Sequence, residues 1–73
     1  MKLHYYADTD SLYIDLSAKT SVESREISPG IVLDFHDTGH LCGIDVDHAN
    51  ENLDLFRLEA VALPVKTGLL VHA

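Results

Sequence analysis

Tyr5-Tyr6-Ala7-Asp8-Thr9-Asp10-Ser11-Leu12-Tyr13-Ile14-Asp15-Leu16 is the stretch whose reading decides the fold. Leu12, Ile14 and Leu16 fall on one side of an extended chain, and Tyr13 and Asp15 fall on the other. That period of two belongs to a half-buried β-strand. Ahead of it, residues 2–6 form a first strand, and Ala7-Asp8-Thr9-Asp10 is a turn. Aspartates gather in such turns because their carboxylates bond nearby backbone N–H groups. The opening of the chain is therefore a β-hairpin.

The same punctuation carries the reading onward. Ser17-Ala18-Lys19-Thr20 turns the chain, and residues 21–27 make a polar third strand. Its Glu23, Arg25 and Glu26 suit a sheet edge or a solvated face. Ser28-Pro29-Gly30-Ile31 is a type II turn signal, with proline presetting φ and glycine supplying the positive φ that follows. The fourth strand spans residues 30–36, with Ile31, Leu33 and Phe35 on one face and Val32 and Asp34 on the other. Asp37-Thr38-Gly39 fits a three-residue hairpin loop. The fifth strand, residues 40–46, puts Cys42, Ile44 and Val46 together. Asp47 suits a helix N-cap for a short helix over residues 47–52. Residues 52–63 favour helix by composition, although Glu59, Val61, Leu63 and Val65 also sit at period two and Pro64 biases Leu63 toward extended backbone. Helix is expected through about residue 61.

The expected architecture is α+β: an antiparallel β-meander of about five strands with a C-terminal helical region packed on one face. The expected core is Leu3 or Tyr5, Leu12, Ile14, Leu16, Ile31, Leu33, Phe35, Ile44 and Val46, closed by Leu53, Phe56 and Val61. Residues 1–63 form the single domain, and residues 64–73 form an apolar tail expected in an oligomer contact.

Composition narrows the function. Seventy-three residues give a thin core, so partners commonly add stability. A homodimer through strand exchange or sheet-edge pairing is expected from that and from the apolar Leu69-Leu70-Val71. The formal net charge of −7 opposes direct binding to nucleic acid, since only Lys2, Lys19, Arg25, Arg57 and Lys66 are basic. The longest late apolar run, Gly68 to Val71, is too short to span a membrane. One cysteine, Cys42, makes no internal disulfide, and no signal-peptide apolar region follows Met1, so a cytoplasmic protein is expected.

Four strings of residues resemble a known family. Tyr6-Ala7-Asp8-Thr9-Asp10-Ser11-Leu12-Tyr13-Ile14 is similar to its opening signature. Glu23-Ser24-Arg25-Glu26-Ile27, Pro29-Gly30-Ile31-Val32-Leu33-Asp34-Phe35 and Leu41-Cys42-Gly43-Ile44-Asp45-Val46-Asp47 follow in order and approximate spacing. Together they resemble the domain of unknown function 2283 family of small prokaryotic proteins, over about residues 3–63. The resemblance implies a small α+β domain and carries no catalytic residues with it. Cys42 departs from the pattern, where an aliphatic residue is expected.

The chemical candidate is the hairpin end with Asp34, His36, Asp37 and His40. A three-residue loop makes His36 and His40 cross-strand neighbours, with Cβ atoms within roughly 5.5 Å, close enough to share a divalent metal. Asp34 shares the face of His36, and His48 follows on the next element. Zinc-site spacing is missing, and a solvated hairpin end explains the same residues. Asp8 and Asp10 lack the glycine and terminal glutamate of a calcium loop and fit turn chemistry. Buried mid-strand with no base nearby, Cys42 fits a small hydrophobe rather than a nucleophile. His4 and His72 fit surface or strand-end positions. Tyr6 and Tyr13 are placed for an aromatic pair across the first turn, which fits sheet packing better than a binding surface. No Ser-His-Asp or phosphate-loop pattern is present. The leading functional expectation is a non-enzymatic protein-interaction module, an antitoxin-like acidic partner of a basic protein. The alternative is a small metal-binding protein or metal-dependent enzyme using His36, His40 and Asp34.

Overall fold

The structure, a computed structural model, describes residues 1–37 and 39–64. Five strands form, β1 (Lys2–Tyr6), β2 (Ser11–Asp15), β3 (Glu23–Ser28), β4 (Ile31–Phe35) and β5 (Leu41–Val46), followed by one helical turn, α1 (Ala49–Asn52). Every neighbouring pair is antiparallel, as the sequence predicts. The two turn glycines also behave as expected, Gly30 at φ 81° and Gly39 at φ 79°.

The order of strands corrects the expected meander. It is β1-β2-β5-β4-β3, so β5 enters between β2 and β4. Residues 16–22 carry the chain from β2 past two strands to the far edge, and β3, β4 and β5 then return by hairpins. Three hairpin-connected strands, the last of them lying beside the strand that precedes the long connection, make a Greek key. The physical reason lies in β5. Ile44 pairs with both Ile14 and Leu33, and Val46 pairs with both Leu12 and Ile31. A meander would have left this apolar strand with an unpaired edge. The polar β3 takes an edge instead, and β1 takes the other.

A second correction concerns the helical region. α1 is a single turn, and Leu53 already has extended backbone at φ −133° and ψ 154°. Residues 53–64 form no regular element, so the fold is mainly β and only marginally α+β. Asp54 then closes an isolated turn, after the helix has already ended. Its Oδ1 accepts from the Phe56 N–H at 3.3 Å, and its carbonyl accepts from the Arg57 N–H at 3.2 Å.

The core changes accordingly. Leu12, Cys42, Val46 and Ala49 are the buried apolar residues among those described. Ile14, Leu16, Ile31, Leu33, Phe35 and Ile44 are half-buried, and Leu3 and Tyr5 are exposed. Leu53, Phe56 and Val61, expected to close the core, do not: Phe56 is 96% exposed and Val61 81%. Among the described residues, the sheet is one layer deep with no helix laid across it. No helix among the described residues is long and apolar enough to cross a membrane. Most of the tail assigned to an oligomer contact, residues 65–73, lies outside the described residues, as does Thr38.

Candidate functional site

Alternation and register sort the side chains onto two unlike faces. Leu3, Tyr5, Leu12, Ile14, Ile31, Leu33, Phe35, Ile44 and Val46 share one face. Its charged groups are Glu23 and Arg25, at the β3 edge, which pair with each other at 3.1 Å. The Arg25 guanidinium also lies 5.1 Å from the centre of the Phe35 ring. The other face carries Lys2, His4, Tyr6, Tyr13, Asp15, Ser24, Glu26, Asp34 and Asp45.

A hydrogen-bonded chain crosses four strands on that polar face. Tyr13 on β2 leans over Gly43 on β5, and its hydroxyl donates to Asp34 Oδ2 on β4 at 2.9 Å. Ser24 on β3 donates to Asp34 Oδ1 at 2.6 Å. The glycine is needed here: a Cβ at position 43 would land on the Tyr13 hydroxyl oxygen and 2.6 Å from Cζ. Burial, reinforced by the bond to Asp34, pushes the Tyr13 phenol up to about 12. It therefore remains a neutral hydrogen-bond donor and cannot serve as a base near neutrality. Burial also raises the Asp45 carboxyl, with the nearby charges of Asp47 and Asp34 adding to the effect.

The histidine hairpin has the backbone expected of it. The His36 N–H donates to the His40 carbonyl at 2.8 Å, and the Gly39 N–H donates to the His36 carbonyl at 2.9 Å. The side chains are differently engaged. His36 Nδ1 is 2.8 Å from the Thr20 carbonyl oxygen, and Nε2 is 2.9 Å from Asp37 Oδ1. Asp34 is committed to Tyr13 and Ser24. His48 stands at the opposite end of β5, where it is the left-handed residue before α1 at φ 50°. Among the described residues, no group of three or more histidines, cysteines and carboxylates is placed to hold a metal ion.

A second polar cluster joins the first hairpin turn to α1. The Tyr5 hydroxyl donates to Asp10 Oδ1 at 2.8 Å, and the Asn50 side-chain amide donates to the same oxygen at 2.8 Å. The Asn50 backbone N–H donates to the Asp10 carboxylate at 3.2 and 3.3 Å, and the Ala49 N–H donates to the Asp10 carbonyl at 2.9 Å. Asp10 therefore caps the helical turn from a distance. The sequence suggested Asp47, but that residue is held by the Gly30 turn, its N–H donating to the Gly30 carbonyl at 2.7 Å. The Tyr5 hydroxyl, followed by the Asn50 amides, holds the Asp10 carboxyl below the ordinary carboxylate range. Tyr5 is raised in return.

Sequence reasoning found the hairpins and missed both polar clusters. Tyr6 does stand diagonal to Tyr13 in the register, with His4 directly opposite Tyr13. The signal for the Tyr13–Asp34 bond was Gly43, since a lone glycine inside an apolar strand marks a close approach. The Asp10–Asn50 pairing spans forty residues and leaves no local signal.

What these observations define, over the described residues, is a small antiparallel β-sheet domain with one apolar and one acidic face. The chain belongs to the family described as Protein of unknown function (DUF2283), whose family model matches residues 2–50. The match covers all five strands and stops before residues 53–64, short of the span over which the sequence resemblance was drawn. No curated protein and no solved structure matches the chain.

Proposed function

We propose that this protein is a non-enzymatic interaction module whose acidic face binds a basic protein. One observation carries the reading: the sheet sorts its charges. Asp15, Asp34, Asp45 and Glu26 stand on one face, with Lys2 as the only Lys or Arg among the β-strand residues facing that side. Among the described residues, the side chains of Asp15, Asp45 and Glu26 hold no hydrogen bond or ion pair, so they are available to a cationic partner. Complementary charge speeds encounter and rejects like-charged partners. The net charge of −7 extends the same attraction beyond the sheet. In its finer form the reading is an antitoxin-like neutralising partner.

The test is native mass spectrometry on full-length protein purified gently from its own host at low ionic strength. A basic polypeptide is expected to accompany it. That polypeptide should be lost from a variant carrying Asp15→Asn, Asp45→Asn and Glu26→Gln whose circular dichroism is unchanged. Retention of the polypeptide by the variant, or absence of any basic polypeptide from the wild type, would sink the reading.

A further inference from the structure

We infer that the apolar face is the contact between two copies of this chain, stacked face to face and clasped by residues 53–64 of each copy. Sheets in stable domains bury their apolar face against a second layer. Among the described residues, one helical turn supplies almost none of that layer, and Ile14, Ile31, Leu33 and Ile44 remain half-buried.

Charge selects the occupant. A strongly basic partner would meet no unpaired carboxylate on this face, where Glu23 is already bound to Arg25. A second copy offers the same neutral apolar surface, the arrangement an isologous two-fold contact requires. Face-to-face stacking also turns both acidic faces outward, on opposite sides of two layers about 10 Å apart. The net charge of each chain then opposes the pairing least.

Area shows why the segment after α1 is needed. Five strands at about 4.8 Å spacing and five residues at about 3.4 Å rise give a face of roughly 400 Å². Two such faces bury about 800 Å², short of the roughly 1,200 Å² of a stable specific interface. Residues 53–64 carry Phe56, Leu58, Val61 and Leu63, all exposed. Laid across the opposite copy, they would bring the contact to on the order of 1,600 Å², a standard interface.

Sedimentation equilibrium of the full chain across a dilution series tests this. A dimer is expected, and Leu33→Glu, at the middle of the face, is expected to abolish it. Because a variant within the sheet can fail to fold, a second variant combines Phe56→Ser with Val61→Ser. Both positions are exposed in the single chain, so the circular dichroism of the diluted protein should not change. Loss of two large apolar contacts should weaken the dimer about a hundredfold or more. A wild-type chain that stays monomeric to millimolar concentration would overturn the inference. So would a dimer equally tight in the double variant, which would point to pairing through the β1 or β3 edges. A monomer that still takes up a basic polypeptide would overturn the dimer while leaving the acidic-face reading in place. A dimer that takes up none would support this inference and remove the other.

Discussion

Gly43→Ala is the most discriminating single change, because its effect should reverse sign with the residue at position 13. A Cβ at position 43 would collide with the end of the Tyr13 side chain, lying 2.6 Å from Cζ and 3.2 Å from Cε1. The ring is the far end of a flexible side chain, so it swings aside and gives up its bond to Asp34. A hydrogen bond to a charged group contributes about 1.5–3 kcal/mol. Partial exposure puts this one at the lower end. Alanine in place of glycine inside a strand returns about 0.5–1 kcal/mol. The net expectation is a loss of about 1 kcal/mol in the wild-type background. With Tyr13→Ala already present, the collision and the bond are both gone, and Gly43→Ala should stabilise by about 0.5–1 kcal/mol. The coupling between the two sites is then about 1.5–2 kcal/mol, within the range for contacting residues. Urea unfolding followed by circular dichroism measures it, with all four proteins at one chain concentration so that association does not confuse the comparison. Phenol absorbance gives an independent reading: the Tyr13 ionisation at about 12 should fall toward 10 in the single Gly43→Ala variant. An equal cost in both backgrounds, or a Tyr13 ionisation unmoved by Gly43→Ala, would refute the reasoning.

Four further outcomes follow from the same geometry. The Tyr13 phenol ionises at higher pH in the folded chain than in the unfolded one, so its contribution to stability is complete below pH 10 and is lost as pH rises through about 12. Alkaline unfolding of Tyr13→Phe should lack that component. The Asp10 carboxyl has the opposite sign: its folded value is lowered, so its contribution is present above the ordinary carboxylate range and lost as pH falls through the folded value. Tyr5→Phe should move the Asp10 titration, followed by carboxyl NMR, back up toward the ordinary value. Asp54→Ala removes the acceptor that holds the Phe56 N–H, so hydrogen exchange at that amide should quicken with no gain of helical signal in the far-ultraviolet circular dichroism. Because burial raises the Asp45 carboxyl and a cationic partner would favour its ionised form, affinity for a basic protein should increase as pH rises through the Asp45 titration, with proton release visible by calorimetry.

Local information made the strands and turns legible. Leu12, Ile14 and Leu16 alternate cleanly, Gly30 and Gly39 mark positions that need positive φ, and the polar residues of β3 suit an edge. Strand order was harder, because a chain of hairpins and a Greek key share the same strands and turns. The difference lies in whether β5 ends at an edge or enters between β2 and β4. Ile44 and Val46 favour the second arrangement only when their pairing with both neighbours is considered. Residues 53–61 misled for another reason. Leucine, arginine, glutamate and alanine favour helix on average, yet the chain is already extended at Leu53, and propensity with no apolar face to bury does not hold a helix. The histidine hairpin was correct in its backbone, and Asp37 is the immediate neighbour of His36, but the Thr20 carbonyl lies sixteen residues away and depends on tertiary placement.

The two surfaces have different consequences once considered together. A face-to-face dimer places its acidic faces on opposite outer surfaces, so each dimer presents two equivalent sites rather than one. Because the two sites point in opposite directions, one rigid partner cannot reach both, so each site binds its own basic protein and pairing adds no avidity. Breaking the dimer at Phe56 and Val61 leaves every carboxylate of the acidic face in place. The double variant should therefore retain the affinity for a basic partner, with the complex changing from two partners per dimer to one per single chain. Acid-to-amide changes at Asp15, Asp45 and Glu26 should do the reverse, lowering affinity while leaving the dimer intact. If both sets of changes reduced both properties together, the faces would not be separable, and the charge sorting across the sheet would have to serve folding instead.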